Sequence, residues 1–334
     1  MTVVFGDRNY FLRMVRRNLA LVLLSGAYLA FPGGSVTAQD VNLSIQPRET
    51  PDGRASIHVN SDLVLVPVTV VDHDDRSVVG LEKEHFRLYD DRVEQVITHF
   101  AMEDAPISVA FLLDASGSME RKIRNAREAV SNFLNTANPD DEFLLVRFSD
   151  QANLVLGLTK ETEEVRRHLG FIQPTGRTAL LDAIDLSIHE IRKAHNVRKA
   201  LVIVSDGGDN CSRHTLGQIK TLVRESDVQI YALGIFDPWD IRSQTPEELL
   251  GPALLNDVAK QSGGRLLEIR DPRELPDVAA KIGNALRTQY VLGYSPAQQR
   301  MDGKYHRVEV KLAPPKSSPK LQASWRRGYY APVE

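Results

Sequence analysis

The stretch Ile107-Ser108-Val109-Ala110-Phe111-Leu112-Leu113-Asp114-Ala115-Ser116-Gly117-Ser118 decides the fold. A nearly continuous apolar run has no wet face, which fits a strand buried on both sides in a parallel sheet covered by helices. The run stops at a carboxylate, followed by hydroxyls on alternate residues. Met119, Ile123, Ala126, Val130, Phe133 and Leu134 then recur at helical spacing, with Arg121, Lys122, Arg124 and Arg127 largely on the opposite face. Strand and helix go on alternating: Phe143 to Phe148 is a strand, and Leu180, Leu181, Ile184, Ile188 and Ile191 mark a helix. Lys199 to Ser205 is a strand, Leu216, Ile219, Leu222 and Val223 a helix, Val228 to Ile235 a strand and Leu249 to Ala259 a helix. Leu266 to Ile269 and the helix of Leu275, Val278, Ala279, Ile282 and Leu286 complete the series. This alternation predicts an α/β fold, a doubly wound and mostly parallel sheet, over residues 105–288.

Both flanks have a different texture. Leu63 to Val71 is β-branched and apolar, and Pro67 within it predicts an edge strand. Asp72-His73-Asp74-Asp75 follows as a polar turn, and Asp90-Asp91-Arg92 separates short strands marked by Phe86 and Leu88 and by Val93, Val96 and Ile97. After the α/β unit come Tyr290 to Tyr294, Tyr305 to Leu312 and Leu321 to Tyr330, parted by Pro and Gly turns. The expected arrangement is a β-sandwich-like module in which residues 289–334 pack with residues 62–104. Tyr290, Tyr294, Trp325, Tyr329 and Tyr330 are assigned to its packing.

The first residues read as an export signal. Arg13, Arg16 and Arg17 precede the uncharged run Leu19 to Phe31, then Pro32-Gly33-Gly34 and small residues up to Ala38. Residues 1–38 are expected to be a signal peptide, cleaved to leave Gln39 first, with a polar linker over 39–61. An uncleaved anchor is the alternative, but the apolar core is shorter than the ~20 residues that span a bilayer. No later stretch is long and apolar enough to span one, so the expected product is exported, periplasmic or secreted, without a membrane span after cleavage. Cys211 is the only cysteine, which excludes an internal disulfide. A net charge of -3 lacks the basic excess that phosphate-backbone binding needs, so no nucleic acid partner is expected.

Three strand or helix ends carry the chemistry. Ligands of doubly wound sheets bind beyond the C-terminal strand ends. Asp114, Ser116 and Ser118 follow one strand, Thr178 closes the loop Pro174-Thr175-Gly176-Arg177-Thr178 before a helix, and Asp206 follows another strand. Their oxygens are hard ligands that suit magnesium, manganese or calcium and not zinc or copper. Taken singly, Ser116 and Thr178 read as helix caps and Asp206 as a turn former. Together, at the ends of successive elements of one sheet, they read as a cation site. Asp209 reads equally as a support of that site or as a solvated loop residue. No spacing such as H-x-x-x-H points to a histidine zinc site.

Asp114-Ala115-Ser116-Gly117-Ser118 resembles the D-x-S-x-S motif of von Willebrand factor type A domains. Gly176-Arg177-Thr178 resembles the threonine loop of that family, and Ser205-Asp206-Gly207 its third element. Sixty-four positions separate Asp114 from Thr178, and 28 separate Thr178 from Asp206, a family-like spacing. The resemblance implies a metal-ion-dependent adhesion site made of Asp114, Ser116, Ser118, Thr178 and Asp206. It implies magnesium as the first choice of ion, with manganese or calcium as alternatives, and a protein partner supplying an acidic side chain. Phe86-Arg87-Leu88-Tyr89-Asp90-Asp91, Gln289-Tyr290-Val291-Leu292-Gly293-Tyr294 and Arg327-Gly328-Tyr329-Tyr330 further resemble a family of exported bacterial proteins, abundant in acidobacteria, with a related domain. Cys211 departs from the small polar residue expected there.

The expected function is therefore binding, with no catalytic residue. The main competitor is a phosphatase of the haloacid dehalogenase type, whose nucleophilic aspartate also ends a first strand. That chemistry needs a second aspartate two positions later, where this chain has Ser116. A second competitor is the same fold kept as a scaffold without metal.

Overall fold

The computed structural model describes residues 63–236, 245–296, 302–313 and 320–331. The expected signal peptide (1–38) and linker (39–61) lie outside the described residues. In chain order the strands and helices are β1 (Val64–Val71), β2 (Phe86–Asp90), β3 (Val93–Gln95), β4 (His99–Asp104), β5 (Ile107–Asp114), α1 (Ile123–Leu134) and β6 (Glu142–Phe148). There follow β7 (Ala152–Thr159), α2 (Thr162–Phe171), α3 (Leu180–Ile191), β8 (Arg198–Ser205), α4 (Leu216–Glu225), β9 (Gln229–Ile235) and α5 (Pro246–Ser262). The last are β10 (Arg265–Ile269), α6 (Leu275–Arg287), β11 (Thr288–Tyr294), β12 (Tyr305–Leu312), β13 (Gln322–Trp325) and β14 (Gly328–Tyr330). Among the described residues no helix is long and apolar enough to cross a membrane.

The α/β unit is a six-stranded sheet in the order β10-β9-β8-β5-β6-β7. Neighbours run parallel except β6 and β7, which pair antiparallel. Every residue of β5 is buried, because successive side chains enter different layers. Val109, Phe111 and Leu113 join α1 and α6 through Ile123, Val130, Phe133, Ala279 and Ile282. Ala110 and Leu112 join α3, α4 and α5 through Ile184, Ile188, Ile219 and Val258. Phe111 meets Phe133 edge-on and stacks on Phe143. Full burial of one such side chain contributes ~1.5–3 kcal/mol. The sheet is thus the doubly wound, mostly parallel α/β sheet expected. The sequence pattern does not mark β4, β7 or α2. β7 is an edge strand with only half-buried and exposed residues, so it lacks the apolar run that marks the inner strands.

Two four-stranded sheets face each other beside this unit, ordered β13-β1-β11-β4 and β14-β12-β2-β3. β1 pairs with β11 and β13, and β2 pairs with β12, so segments from both sides of the α/β unit share each sheet. Val66, Val68, Val70, Phe86, Leu88, Tyr290, Leu292, Tyr294, Val308 and Tyr329 form the core between them. Trp325 packs at its margin, and Tyr330 is exposed. The hairpin between β2 and β3 turns through Asp91 and Arg92, at φ 47° and 71°. Positive φ at both central residues matches the twist of paired strands.

One expectation needs correction. Pro67 does not mark an edge strand, since β1 lies between β13 and β11. Pairing with β11 covers Val64 to Val68, whereas pairing with β13 starts only at Val68. At Pro67 the strand therefore has a ladder on one side only, and the missing N–H costs no bond on the other. The final segment, read as one strand, is two: β13 joins β1, and β14 joins β12.

Candidate metal centre

The chain crosses the C-terminal end of the parallel sheet at three places, which the sheet register brings together. β5 and β8 are adjacent, with Leu113 opposite Val204, so Asp114 and Ser205 leave the sheet side by side. Ser205 Oγ donates to Asp114 Oδ2 at 2.5 Å, and Ser116 N–H donates to Asp114 Oδ1 at 2.9 Å. Ser116 and Ser118 hydroxyls lie 3.0 Å apart. The loop before α3 is fastened to this turn by Thr175 N–H donating to Ala115 O at 2.7 Å and Gly117 N–H donating to Gly176 O at 3.0 Å. On the other side, Asn210 N–H donates to Thr178 O at 3.0 Å and Thr178 N–H to Asn210 Oδ1 at 2.9 Å, which ties Thr178 to the loop after Asp206.

Glycine is required at two of these turns. Gly176 has φ +80°, and a Cβ there would meet the Asp150 carboxylate at 2.2 Å. Gly207 has φ +89°, and a Cβ would meet the backbone of Gly251 at 2.8 Å. Larger residues would push the Thr178 and Asp206 loops off their supports.

The capping interpretation fails for both hydroxyl residues. Ser116 stands before the short 3-10 turn Gly117–Met119 but makes no side-chain cap bond. α3 starts after Ala179, not Thr178, and its exposed N–H groups are served from elsewhere: Leu180 and Leu181 N–H donate to Asp209 Oδ1 at 2.9 and 3.2 Å. Asp209, which the sequence left undecided, therefore caps α3 across a gap in sequence and positions the Thr178 loop. Burial pushes its carboxyl above the ordinary range, and Ser212 Oγ donates to it at 2.5 Å. The Cys211 thiol donates to the carbonyls of Ser149 and Asp150 at 3.7 and 3.6 Å, and its N–H donates to Thr178 O at 3.3 Å.

Electrostatics single out Asp114 and Asp206. Burial, followed by the charge of Asp206, pushes the Asp114 carboxyl up to about 7. Asp206 Oδ2 accepts from Lys122 Nζ at 3.1 Å, while its Oδ1 is buried without a hydrogen-bond donor. Two adjacent carboxylates, one with an unpartnered buried oxygen, are an unfavourable arrangement for a merely structural pair. The oxygen donors Asp114, Ser116, Ser118, Thr178 and Asp206 fit a hard divalent cation on these grounds. Gly117 and Ser118 are exposed while Asp114, Ser116, Thr178 and Asp206 are buried, so the oxygens line the floor of an accessible face.

The family model described as von Willebrand factor type A domain matches residues 109–208, the segment that contains all five residues. The chain thus carries a von Willebrand factor type A domain over these residues. The chain is also similar to inter-alpha-trypsin inhibitor heavy chain H4 of Bos taurus, at 26% identity over 58% of this chain and 22% of that protein. Human heavy chain H4 is 27% identical over 57% of this chain and 21% of its own length. The chain thus spans about a fifth of the length of these curated relatives. A von Willebrand factor type A structure from Catenulispora acidiphila aligns with 80% of this chain and 73% of its own, at 13% identity and TM-score 0.48. Proximal thread matrix protein 1 from the mussel byssus, in a structure described with a zinc-occupied MIDAS motif, aligns with 60% of this chain and 50% of its own, at 17% identity and TM-score 0.48.

Apart from these five candidate residues, two groups of described Asp and His bring possible ligand atoms within 4.8 Å of one another. In the first, Asp72 Oδ1 accepts from Asp74 and Arg76 N–H at 2.8 and 3.0 Å, which closes a turn. The second joins Asp90 and Asp91 to His306, whose Nδ1 lies 2.8 Å from Asp91 Oδ2 and clasps β12 to the β2–β3 hairpin, while its Nε2 lies 3.1 Å from Asp302 Oδ1, outside the group.

Proposed function

We propose that this type A domain binds a divalent cation at a metal-ion-dependent adhesion site and, through it, an acidic group on a protein partner outside the cytoplasm. The observation that carries the proposal is the buried Asp206 Oδ1 without a donor, next to an Asp114 carboxyl whose ionisation its surroundings oppose. Asp114, Ser116, Ser118, Thr178 and Asp206 would hold the ion, with magnesium the first choice and manganese or calcium the alternatives. When bound, such an ion supplies a Lewis-acidic positive centre for a partner's carboxylate. The chain's own part is positional. Ser205 Oγ and Ser116 N–H fix the rotamer of Asp114, Asp209 sets the start of α3 behind Thr178, and the glycine turns let the Thr178 and Asp206 loops lie against Asp150 and Gly251. Ser116 two positions after Asp114 leaves no acid for phosphoryl transfer, which supports binding over a haloacid dehalogenase type of hydrolysis.

Lys122 favours a second reading, a scaffold that keeps its own cation on Asp206 and needs no metal. Calorimetry with magnesium and manganese on the native protein and on Asp114→Ala separates the two. A saturable heat that the substitution abolishes is expected; no heat with either ion would leave the scaffold.

A further inference from the structure

Lys122 is the residue that the type A site holds and that its five oxygen donors do not explain. It stands directly before α1, on the turn anchored by fully buried Met119, whose carbonyl accepts from Lys122 N–H at 2.9 Å. The side chain runs back over the sheet end, and its ammonium lies 3.1 Å from Asp206 Oδ2, with side-chain exposures of 13% and 8% for the two partners. At such burial solvent screens the pair weakly. The contact is also one-sided. Lysine offers a compact charge that engages one oxygen, which leaves Oδ1 unclaimed.

We propose that Lys122 is the charge-setting residue of the site: its ammonium, fixed on Asp206, weakens divalent-cation binding and makes the loaded site select a carboxylate ligand. The inference rests on the cation-binding reading above. Two ionised carboxylates would neutralise a divalent cation and leave the complex with no net pull on an anion. The ammonium adds one positive charge, so the same complex carries net positive charge into a poorly screened face. A neutral ligand such as a carbonyl gains little from that charge, whereas a carboxylate gains the full interaction. The ammonium also repels the incoming ion, so tight cation holding is exchanged for anion selectivity.

The test measures manganese affinity by calorimetry, then acetate binding to the manganese-loaded protein by water-proton relaxation, with chelator-treated melting as the folding control. Lys122→Gln is expected to bind manganese at least about tenfold more tightly and acetate about tenfold more weakly, since a full charge is removed at contact distance. Its melting temperature in chelator should fall and return with manganese. Lys122→Arg keeps the charge but presents a fork that can take both carboxylate oxygens, so manganese binding should weaken relative to the native protein. If folded Lys122→Gln binds manganese and acetate as the native protein does, Lys122 does not set the site's charge. Should that variant fail to fold, a manganese-loaded native protein that binds neutral acetamide as tightly as acetate overturns the proposal. A native protein that binds no manganese brings down the cation reading itself, an outcome the two variants cannot mimic.

Discussion

Asp141 and Asp206 are buried carboxylates at opposite ends of the same parallel sheet, and their surroundings differ in kind. Asp141, just before β6, is fully buried, yet its Oδ1 accepts from Ile107 N–H at 3.0 Å and its Oδ2 from Asn138 N–H at 2.9 Å and from Arg287. Its neighbour Glu142 accepts from Ser108 Oγ and His195 N–H, both at 2.9 Å. Asp206, just after β8, has one oxygen on Lys122 and the other on nothing. Where the strands start, both oxygens of Asp141 and of Glu142 are used to fasten chain to chain. Where they end, charge is held close, partly repelled and left incomplete, which costs stability unless something else uses it.

Removing the cation at the fastened end should have the largest effect. Arg287→Met takes the guanidinium from a carboxylate that cannot reach water, so denaturant unfolding should show a loss of ~3–5 kcal/mol, with no change in manganese affinity per folded molecule. A loss below ~1 kcal/mol would mean that the backbone donors alone satisfy Asp141.

At the open end the sign should reverse. Asp114→Asn is nearly isosteric and removes the repulsion from Asp206, so cation binding should fall by about a hundredfold or more while the chelator-treated protein melts no lower than the native one. A destabilisation as large as that of Arg287→Met would erase the contrast between the two ends.

The effect of pH sharpens the same point. Asp114 is raised from 3.8 to about 7 in the folded protein, so its contribution is fully present below the unfolded value and is lost as pH rises through the folded one. The chelator-treated protein should therefore become less stable from pH 5 to 8, and Asp114→Asn should flatten that slope. Protons and cation compete for the same oxygens, so manganese affinity should fall by up to about tenfold per pH unit below about 7. A melting temperature in chelator that rises over this range would contradict the raised carboxyl.

The smallest effect is expected at Thr178. Its hydroxyl is one neutral donor among charged ones, so Thr178→Ala should weaken manganese and acetate binding by only a few-fold and change stability by less than ~1 kcal/mol, read by the same calorimetry and melts.

The residues of the candidate site are legible because each follows a local signal. Apolar runs end at Asp114 and at Ser205-Asp206, and a turn through Gly176 precedes Thr178. The inner strands were legible for the same reason, since burial on both faces writes itself as uninterrupted apolar sequence. Helical periodicity likewise placed Lys122 away from the core, but it could not show that this side of the turn leans over the end of β8. Asp209 looked ambiguous because its role is to cap a helix that begins 29 residues earlier.

The amino-acid sequence by itself determined the doubly wound α/β unit and the kinds of ligand atom at its strand ends, because period, burial and turn chemistry are local properties of the chain. Tertiary structure alone decided how those ends share charge: which oxygen of Asp206 Lys122 takes, which it leaves, and how far Asp206 opposes the ionisation of Asp114. It also decided that β1 is an inner strand despite Pro67, because β11 and β13 reach it from distant parts of the chain and meet it over different residues. Coulomb energy and hydrogen-bond satisfaction depend on distance in space, and along this chain the groups that matter to one another lie tens to hundreds of residues apart.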